Sequence, residues 1–199
     1  MMTTQRIGIY AGTFDPIHAG HIAFALQALE QAKLDKIYFL PERRPRHKPS
    51  VEHFAHRVAM IKQASLPYQQ FYVLESVEVS FTIKRTLPML QQKFKHAQLV
   101  FLFGSDAVAG LPDWPYAKQL LTTSELVIAA RQGDDTTQLQ TAIASWPHQP
   151  QAAVMLTSYA PSVSSSLVRA ALRARQPAAG LLQSVARYSD HHWLYVSVS

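Results

Sequence analysis

Apolar runs alternate with amphipathic stretches along most of the chain, and this alternation constrains the fold more than any other feature. Short apolar runs bounded by polar or turn-forming residues predict strands. They lie at residues 6–11, 36–41, 71–75, 99–104, 125–130 and 153–157. Strands that are apolar throughout and alternate with helices are typical of a parallel sheet covered on both faces. The sequence therefore predicts an α/β fold, a Rossmann-like, doubly wound parallel sheet with helices on both faces.

The segments between these strands predict helices. The predicted helices lie at residues 19–33, 53–66, 114–121, 134–146, 164–174 and 178–189. One more helix precedes the fourth strand: Thr82 is a candidate N-cap, but Pro88 belongs only in a first turn. A later start, with Thr86 as the N-cap, removes this conflict. No repeat or interdomain linker is visible, and we expect one domain over residues 1–199.

Composition narrows the class of protein. The chain has 199 residues, 48% hydrophobic and 16% charged, which is typical of a globular protein that buries a core. The absence of cysteine excludes disulfides and thiolate metal sites and agrees with a cytoplasmic location. No apolar run suggests a membrane span, and the start, MMTTQR, predicts no signal peptide. The net charge of +6 favours an anionic partner: nucleic acid, a membrane surface or a phosphorylated small molecule.

The segment GTFDPIHAGH, residues 12–21, follows the first predicted strand. Doubly wound sheets bind ligands beyond the carboxyl ends of their strands, at the switch in strand order. Gly12 allows the backbone to approach a phosphate closely, and the following helix N-terminus favours an anion. His18 and His21 at that terminus can donate hydrogen bonds to phosphate oxygens, and their protonation can respond to phosphate charge.

Spacing alone leaves other interpretations of this histidine pair open. The two residues can be ordinary residues at a helix start. His53 and His56 have the same spacing without the glycine and the strand end. A metal site is less favoured, because the spacing reveals no third ligand.

A second candidate anion site lies in SVSSSLVRAAL, residues 162–172. Ser164, Ser165 and Ser166 offer hydroxyls and unpaired backbone N–H groups at a helix start. Arg169 lies one turn further along, where its planar fork can bind phosphate oxygens bidentately. Taken alone, the segment is also explained by a serine N-cap on an amphipathic helix.

Together the two motifs resemble the signature of the HxGH nucleotidyltransferase superfamily, which includes adenylyl- and cytidylyltransferases and is related to class I aminoacyl-tRNA synthetases. Within it, the chain resembles the bacterial nicotinate-mononucleotide adenylyltransferase family over nearly its whole length. The segments that carry this likeness are PERRPRHK at 41–48, HRVAMIKQA at 56–64, GSDAVAGLPDW at 104–114, LVIAAR at 126–131 and VARYSDHHWLY at 185–195.

One segment departs from the family pattern. The family usually has R-x-G-x-S-Y-T-x-x-T-L, whereas residues 76–87 read SVEVSFTIKRTL. The Arg and Gly are missing, Phe81 replaces Tyr, and an extra residue separates Thr82 from Thr86. In the family this segment lies beside the pyridine ring and its carboxylate. Lys84 and Arg85 fall within it, where they either supply positive charge to that carboxylate or lie solvated on a helix turn.

The resemblance implies transfer of AMP from ATP to nicotinate mononucleotide, with Mg²⁺ arriving with ATP and no protein metal site. It leaves the oligomeric state open. The alternatives are nicotinamide mononucleotide or another phosphorylated acceptor, a non-catalytic nucleotide sensor, and a nucleic-acid-binding protein that uses RRPRHKP as a phosphate clamp.

The resemblance also implies the roles of individual residues. Lys48 would close over the phosphates, Asp106 would accept a hydrogen bond from the ribose of adenosine, and Trp114 would flank the pyridine ring. The implied catalytic residues are His18, His21 and Arg169. The implied ATP contacts are Gly12, Thr13, Phe14, Lys48, Gly104, Asp106, Ser164, Ser165 and Ser166, and the implied acceptor contacts are Thr82, Trp114 and Arg131.

Overall fold

A six-stranded parallel sheet forms the centre of the protein. The computed structural model describes residues 4–45, 48, 50–76, 78, 80–130, 134–157 and 163–196. The strands are β1 (Gln5–Gly12), β2 (Lys36–Pro41), β3 (Phe71–Val73), β4 (Ala97–Gly104), β5 (Glu125–Ala130) and β6 (Ala153–Thr157). Their order is β3-β2-β1-β4-β5-β6, and the pairings are parallel. The order changes direction between β1 and β4, so the predicted Rossmann-like fold is confirmed.

Helices cover both faces of the sheet. One hydrophobic cluster packs the first, second and eighth helices against one face, and a second packs the third, fifth and sixth helices against the opposite face. Residues of β4 alternate between the clusters: Val100 and Leu102 belong to the first, Phe101 and Phe103 to the second. The helices are α1 (Ala19–Gln31), α2 (Phe54–Ser65), α3 (Ile83–Lys93), α4 (Ser105–Ala109), α5 (Ala117–Thr123), α6 (Thr136–Ala144), α7 (Ser165–Arg173) and α8 (Gln183–His191).

The start of α3 differs from the prediction. The N-cap is Thr82 in an extended conformation, not Thr86, and Pro88 lies inside the helix. The Thr86 hydroxyl instead accepts a hydrogen bond from the Thr82 backbone N–H at 3.1 Å. Pro88 removes one backbone hydrogen bond, a loss that burial of an apolar face offsets at about 1.5–3 kcal/mol per large side chain. That buried face has helical spacing: Ile83, Thr86, Leu87 and Leu90.

Whereas α3 starts earlier than predicted, two other helices start later. Tyr116 adopts a left-handed conformation with φ of 70°, so α5 begins at Ala117 rather than at residue 114. Gly180, with φ of 74°, interrupts the last predicted helix, and α8 begins at Gln183. The short helix α4 was not predicted. Among the described residues, none of the helices has the length and apolar character that crossing a bilayer requires.

Candidate active site

The segment between β1 and α1 leaves the sheet at the switch point. Phe14 adopts a left-handed conformation, with φ of 51°, and its ring is buried edge-on against Tyr10 and near His21. The Asp15–Pro16 peptide bond is cis. The chain then reaches His18, the N-cap of α1, in an extended conformation. This course places both signature histidines at the N-terminal end of α1, as the sequence predicts.

The two histidines pack against each other. Their ring centroids are 3.7 Å apart, and the His18 backbone N–H donates to His21 Nδ1 at 3.2 Å. Because Nδ1 of His21 accepts, a neutral His21 ring carries its proton on Nε2. The His18 side chain is buried, and its Nδ1 has no hydrogen-bond partner among the described residues. Both rings therefore retain polar atoms for a ligand.

Burial keeps this pair neutral. It lowers the pKa of His18 to about 4. Burial also lowers the pKa of His21 well below its ordinary value, and the positive charges of His18 and Lys48 lower it further. At neutral pH each ring is therefore an uncharged imidazole with one N–H donor. Negative charge from an arriving phosphate opposes these shifts.

The second motif meets the first through hydrogen bonds. The guanidinium of Arg169 donates from Nη1 to the Asp15 carbonyl at 2.6 Å and from Nη2 to the Ser166 hydroxyl at 3.3 Å. The Ser165 hydroxyl donates to the Pro16 carbonyl at 2.9 Å. The two motifs, about 145 residues apart in the sequence, therefore form one continuous surface.

Ser164 uses its hydroxyl differently from its neighbours. It is the N-cap of α7, and its Oγ accepts a hydrogen bond from the Leu167 backbone N–H at 3.2 Å. The N-cap interpretation is thus correct for Ser164, whereas the Ser165 hydroxyl donates to Pro16 of the first motif and the Ser166 hydroxyl accepts from Arg169.

A buried arginine fixes the loops around the site. Arg57 on α2 is fully buried, and its guanidinium donates at 2.7–3.0 Å to the backbone carbonyls of Thr13, Glu42, Arg43 and Glu52. Burial lowers the pKa of Arg57, and the negative charge of Asp15 opposes that effect. Lys48 comes from the same loop region and donates from Nζ to the Thr13 hydroxyl at 3.0 Å.

A pocket of about 720 Å³ opens beside this surface. That volume lies within the range of small-molecule sites, about 300–1,000 Å³. Lys48, Lys84 and Arg85 line it together with one carboxylate, Glu42, which leaves the lining positively charged. An anionic ligand is therefore favoured. Further lining residues are Ala11, Gly12, Thr13, Pro45, Phe81, Thr82, Ile83, Phe103, Ala107, Trp114, Pro115 and Tyr116.

Thr82 presents an unused polar atom at this pocket. Its backbone N–H is engaged by Thr86, but its buried Oγ1 has no hydrogen-bond partner among the described residues. Trp114 lines the pocket from the opposite segment and packs edge-on against Phe103, with ring centroids 6.0 Å apart. Thr82, with its unpartnered hydroxyl, and Trp114 thus border the same pocket.

Two cations at the start of α3 also line the pocket. Lys84 places Nζ 5.7 Å from the centroid of the Tyr116 ring. Arg85 is exposed, and its Nη1 lies 3.4 Å from the Glu78 carboxylate. The contact of Lys84 with an aromatic ring therefore leaves its charge without neutralisation by a carboxylate, whereas Arg85 has an acidic partner.

The predicted site residues separate into two neighbouring groups. Asp106 follows β4, and a Cβ on Gly104 would lie 2.6 Å from its Oδ1, so a side chain at position 104 would displace the Asp106 carboxylate. Phe14 offers a ligand only its backbone, because its ring is in the core. Arg131 lies outside the described residues. The pocket contains Gly12, Thr13, Lys48, Thr82 and Trp114, while His18, His21, Ser165, Ser166 and Arg169 form the adjoining surface.

Sequence reasoning missed three residues of this region: Asp15, Tyr195 and Arg57. Asp15 lies inside the signature, yet nothing in the sequence shows that its carboxylate is buried and accepts from the Tyr195 hydroxyl at 2.7 Å. Arg57 had a usable signal, because it shares the helical face of Met60, Ile61 and Ala64. An arginine on an apolar face indicates a buried, multiply hydrogen-bonded cation.

Comparison with known proteins finds relatives along nearly the whole chain. A family model described as cytidylyltransferase-like matches residues 9–171. The "Probable nicotinate-nucleotide adenylyltransferase" of Neisseria meningitidis is 32% identical over an alignment of 199 residues, covering 96% of this chain and 98% of that protein. The "Nicotinate-nucleotide adenylyltransferase" of Bacillus subtilis is 32% identical over 203 residues, covering 97% of this chain and 100% of that protein.

Solved structures share the fold. Plasmodium falciparum nicotinic acid mononucleotide adenylyltransferase complexed with NaAD has a TM-score of 0.76 and 18% identity, covering 96% of this chain and 97% of that chain. The same protein complexed with APC has a TM-score of 0.77 at 16% identity, with the same coverage. At this identity the likeness establishes the architecture only.

The buried, neutral His18 predicts a specific dependence of stability on pH. In the unfolded chain a histidine takes up a proton near pH 6.5, whereas in the folded protein His18 does so near pH 4. Between these values the unfolded state binds more protons, so stability falls as the pH is lowered through this window. The shift corresponds to roughly 3 kcal/mol of unfolding free energy, present above pH 6.5 and lost by pH 4.

Urea denaturation at several pH values from 7 to 4 measures this effect. We expect His18→Asn to show a shallower loss of stability than the unmodified protein. His96→Asn, which removes an exposed histidine, is the control and should keep the original slope. Equal slopes for the unmodified protein and His18→Asn would contradict the assignment of a buried neutral His18.

Proposed function

Because the chain belongs to the cytidylyltransferase-like family, and within it to the nicotinate-nucleotide adenylyltransferases, we propose that it transfers AMP from ATP to nicotinate mononucleotide. The products are nicotinate adenine dinucleotide and pyrophosphate, which places the enzyme in NAD biosynthesis. The chain is a nucleotidyltransferase. The observation that best supports the site is the hydrogen-bonded contact of Arg169 and Ser165 with Asp15 and Pro16.

The reaction needs no nucleophile from the protein. An oxygen of the acceptor's phosphate attacks the α-phosphorus of ATP and forms a new P–O bond. The bond from the α-phosphorus to the bridging oxygen of the β-phosphate breaks, and that oxygen leaves with pyrophosphate and its electron pair. The protein therefore acts by holding the two substrates in line and by stabilising charge on the phosphate oxygens.

The surface formed by the two motifs suits these tasks. His18 and His21 each offer an uncharged N–H donor at a helix N-terminus, where an anion is favoured. Arg169 uses two of its nitrogens for Asp15 and Ser166 and has further N–H groups for phosphate oxygens. Lys48 lies where the pocket meets Thr13, from which it can neutralise phosphate charge. We assign this surface to the triphosphate.

Mg²⁺ belongs to this proposal as an ion that arrives with ATP. In the part of the chain that the structure describes, no three His, Asp or Glu side chains are grouped to hold a metal. The buried carboxylate of Asp15 already faces Tyr195 and Arg169. These residues fit a metal held by phosphate oxygens and water, as Mg²⁺ prefers, and bound in that way it neutralises phosphate charge.

The pocket beside this surface is assigned to the acceptor. Its positive lining suits a mononucleotide, which carries a phosphate and, in the nicotinate form, a carboxylate. The unpartnered hydroxyl of Thr82 and the cation of Lys84 are the groups that we assign to that carboxylate. Trp114 supplies an aromatic surface for the pyridine ring. A neutral amide would leave the charge of Lys84 unmatched, so the pocket favours the acid.

The basic loop after β2 supports a substrate-binding role over a nucleic-acid clamp. Lys48 points to Thr13, and Arg43 donates to the Ser76 carbonyl at 2.8 Å while covering the ring of Phe54. Among the described residues of this loop, cations engaged in this way are not arranged as a row for a phosphate backbone; Arg46 and His47 of RRPRHKP lie outside the described residues. We place the reaction in the cytoplasm, where ATP is available.

One assay tests the activity directly. Pyrophosphate release from ATP and Mg²⁺ is measured with nicotinate mononucleotide, nicotinamide mononucleotide and other phosphorylated acceptors in turn. We expect release that depends on the acceptor and is fastest with nicotinate mononucleotide. Release with none of the acceptors would refute the proposed function.

We expect His18→Ala to fold and to lose most of its turnover. Removal of one preorganised donor from the charge that develops at the α-phosphate costs on the order of 10²–10³ in rate. Turnover is measured as pyrophosphate release, and folding by circular dichroism. His53→Ala is the matched control, since His53 is also an N-cap whose side chain makes no cap hydrogen bond. Near-normal turnover in folded His18→Ala would refute the phosphate-site assignment.

We expect Arg169→Lys to weaken the use of ATP more than the use of the acceptor. A single ammonium cannot replace the planar fork that spans Asp15, Ser166 and a phosphate. The measurement is the KM for each substrate at saturating levels of the other. Arg173→Lys, an exposed position one turn further along α7, is the control. An unchanged KM for ATP would mean that Arg169 serves only the structure.

We expect nicotinate mononucleotide to outcompete nicotinamide mononucleotide at equal concentration by about tenfold or more, because only the acid matches the cationic lining. Lys84→Met should reduce this preference, and Lys93→Met at the far end of α3 should not. The ratio of the two dinucleotide products, separated by chromatography, is the readout. Equal use by the unmodified protein would contradict the assigned acceptor.

A further inference from the structure

The chain beyond α8 returns to the signature segment in an unusual conformation. Trp193 and Tyr195 both adopt left-handed backbone angles, with φ of 55° and 60°. Such angles are strained for residues with large side chains. Trp193 is 78% exposed, whereas Tyr195 is 5% exposed and belongs to the core around α1 and α2. The turn thus directs one aromatic ring outward and the other inward.

The inward ring ends at a buried carboxylate. The Tyr195 hydroxyl donates to Asp15 Oδ1 at 2.7 Å, and the Glu52 backbone N–H donates to the same oxygen at 3.3 Å. Burial and the charge of Asp15 raise the pKa of Tyr195, so its hydroxyl stays protonated and remains a donor. The carboxylate of Asp15 is therefore held at one oxygen by the C-terminal segment.

The other oxygen of this carboxylate faces Arg169. Asp15 Oδ2 lies 3.7 Å from Arg169 Nη1 and has no hydrogen bond among the described residues. The short bond of that nitrogen goes instead to the Asp15 carbonyl, at 2.6 Å. Arginine–carboxylate pairs prefer two parallel hydrogen bonds. The guanidinium of Arg169 lies beside the Asp15 carboxylate but does not form this bidentate pair.

We propose that Tyr195 is a positioning residue that acts on Arg169 through Asp15 and thereby keeps the guanidinium available for the triphosphate. This role rests on the proposed function. While Tyr195 holds Oδ1, the carboxylate is turned so that only Oδ2 approaches the guanidinium. Without the hydroxyl, Oδ1 keeps only the longer bond from Glu52, and the carboxylate can rotate to accept two bonds from Arg169.

The consequence for substrate binding is selective. An Arg169 that is fully paired to Asp15 has fewer N–H donors for ATP, and its charge is neutralised locally. The lining of the acceptor pocket includes Thr82, Lys84 and Trp114 but neither Asp15 nor Arg169. Loss of the Tyr195 hydroxyl should therefore impair the use of ATP and spare the acceptor. A merely structural role would instead lower stability and affect both substrates.

The test is Tyr195→Phe, which keeps the ring and removes the hydroxyl. Tyr188→Phe is the matched control, because its hydroxyl is hydrogen-bonded to His56 rather than to Asp15. We expect Tyr195→Phe to raise the KM for ATP by about tenfold and to leave the KM for the acceptor within about twofold. Tyr188→Phe should change neither, and melting temperatures report on folding in both variants.

A double-mutant cycle identifies the route through Arg169. In an Arg169→Lys background, Tyr195→Phe should add little further loss, because the group that it positions is gone. Asp15→Asn tests the carboxylate that connects Tyr195 to Arg169: it keeps Oδ1 as an acceptor but removes the charge that faces Arg169. We expect this variant also to change the KM for ATP more than that for the acceptor.

Several results would overturn the proposal. They are an unchanged KM for ATP in Tyr195→Phe, an equal rise of both KM values with a lowered melting temperature, or independent effects of Tyr195→Phe and Arg169→Lys. If Tyr195→Phe does not fold, an unchanged KM for ATP in Asp15→Asn would overturn the proposal instead. Absence of adenylyl transfer by the unmodified protein would refute the proposed function instead, so the two failures are distinguishable.

Discussion

The buried guanidinium of Arg57 is the interaction on which the site depends. Removing a cation from water costs several kcal/mol, and the cost is tolerable only where its donors are satisfied. Arg57 meets that condition with backbone carbonyls from three segments: the end of β1, the loop after β2 and the turn before α2. Because carbonyls are fixed to the chain, their shared donor also fixes where these segments lie. The wall of the pocket formed by Thr13, Glu42 and Lys48 follows from this constraint.

Asp15 is the negative counterpart of this arrangement. Its negative charge opposes the lowering of the Arg57 pKa by burial. The same carboxylate lies beside Arg169 and accepts a hydrogen bond from Tyr195. These four residues come from the first loop, α2, α7 and the segment after α8, so they meet only when the chain is folded through to its C-terminal part. The surface that we propose for the triphosphate therefore depends on the complete fold and not on the signature alone. Stability and catalytic geometry are coupled here through one buried carboxylate.

Much of the fold could be predicted from the sequence, because the strands are apolar throughout and the helices are amphipathic. The start of α3 could not, since Pro88 argues against a helix locally while burial of Leu87 and Leu90 favours one, and only the packed structure decides between them. Within the site, the two motifs could be brought together by resemblance. The Tyr195–Asp15 hydrogen bond could not be predicted, because it joins residues 180 positions apart. It also depends on left-handed backbone angles that no sequence pattern predicts.

The surface that we propose for the triphosphate combines the cations Arg169 and Lys48 with two uncharged imidazoles, and the neutral pair has a chemical reason. The pocket carries further permanent cations at Lys84 and Arg85, which suit the anionic acceptor that we propose. His18 and His21 are uncharged when the site is empty, because burial opposes their protonation. Neutral donors hold the ground state of a phosphate less strongly than cations do, yet they strengthen as negative charge develops on its oxygens. Only stabilisation that grows toward the transition state raises the rate of the chemical step, so neutral imidazoles beside the α-phosphate serve the proposed reaction better than a further pair of lysines would.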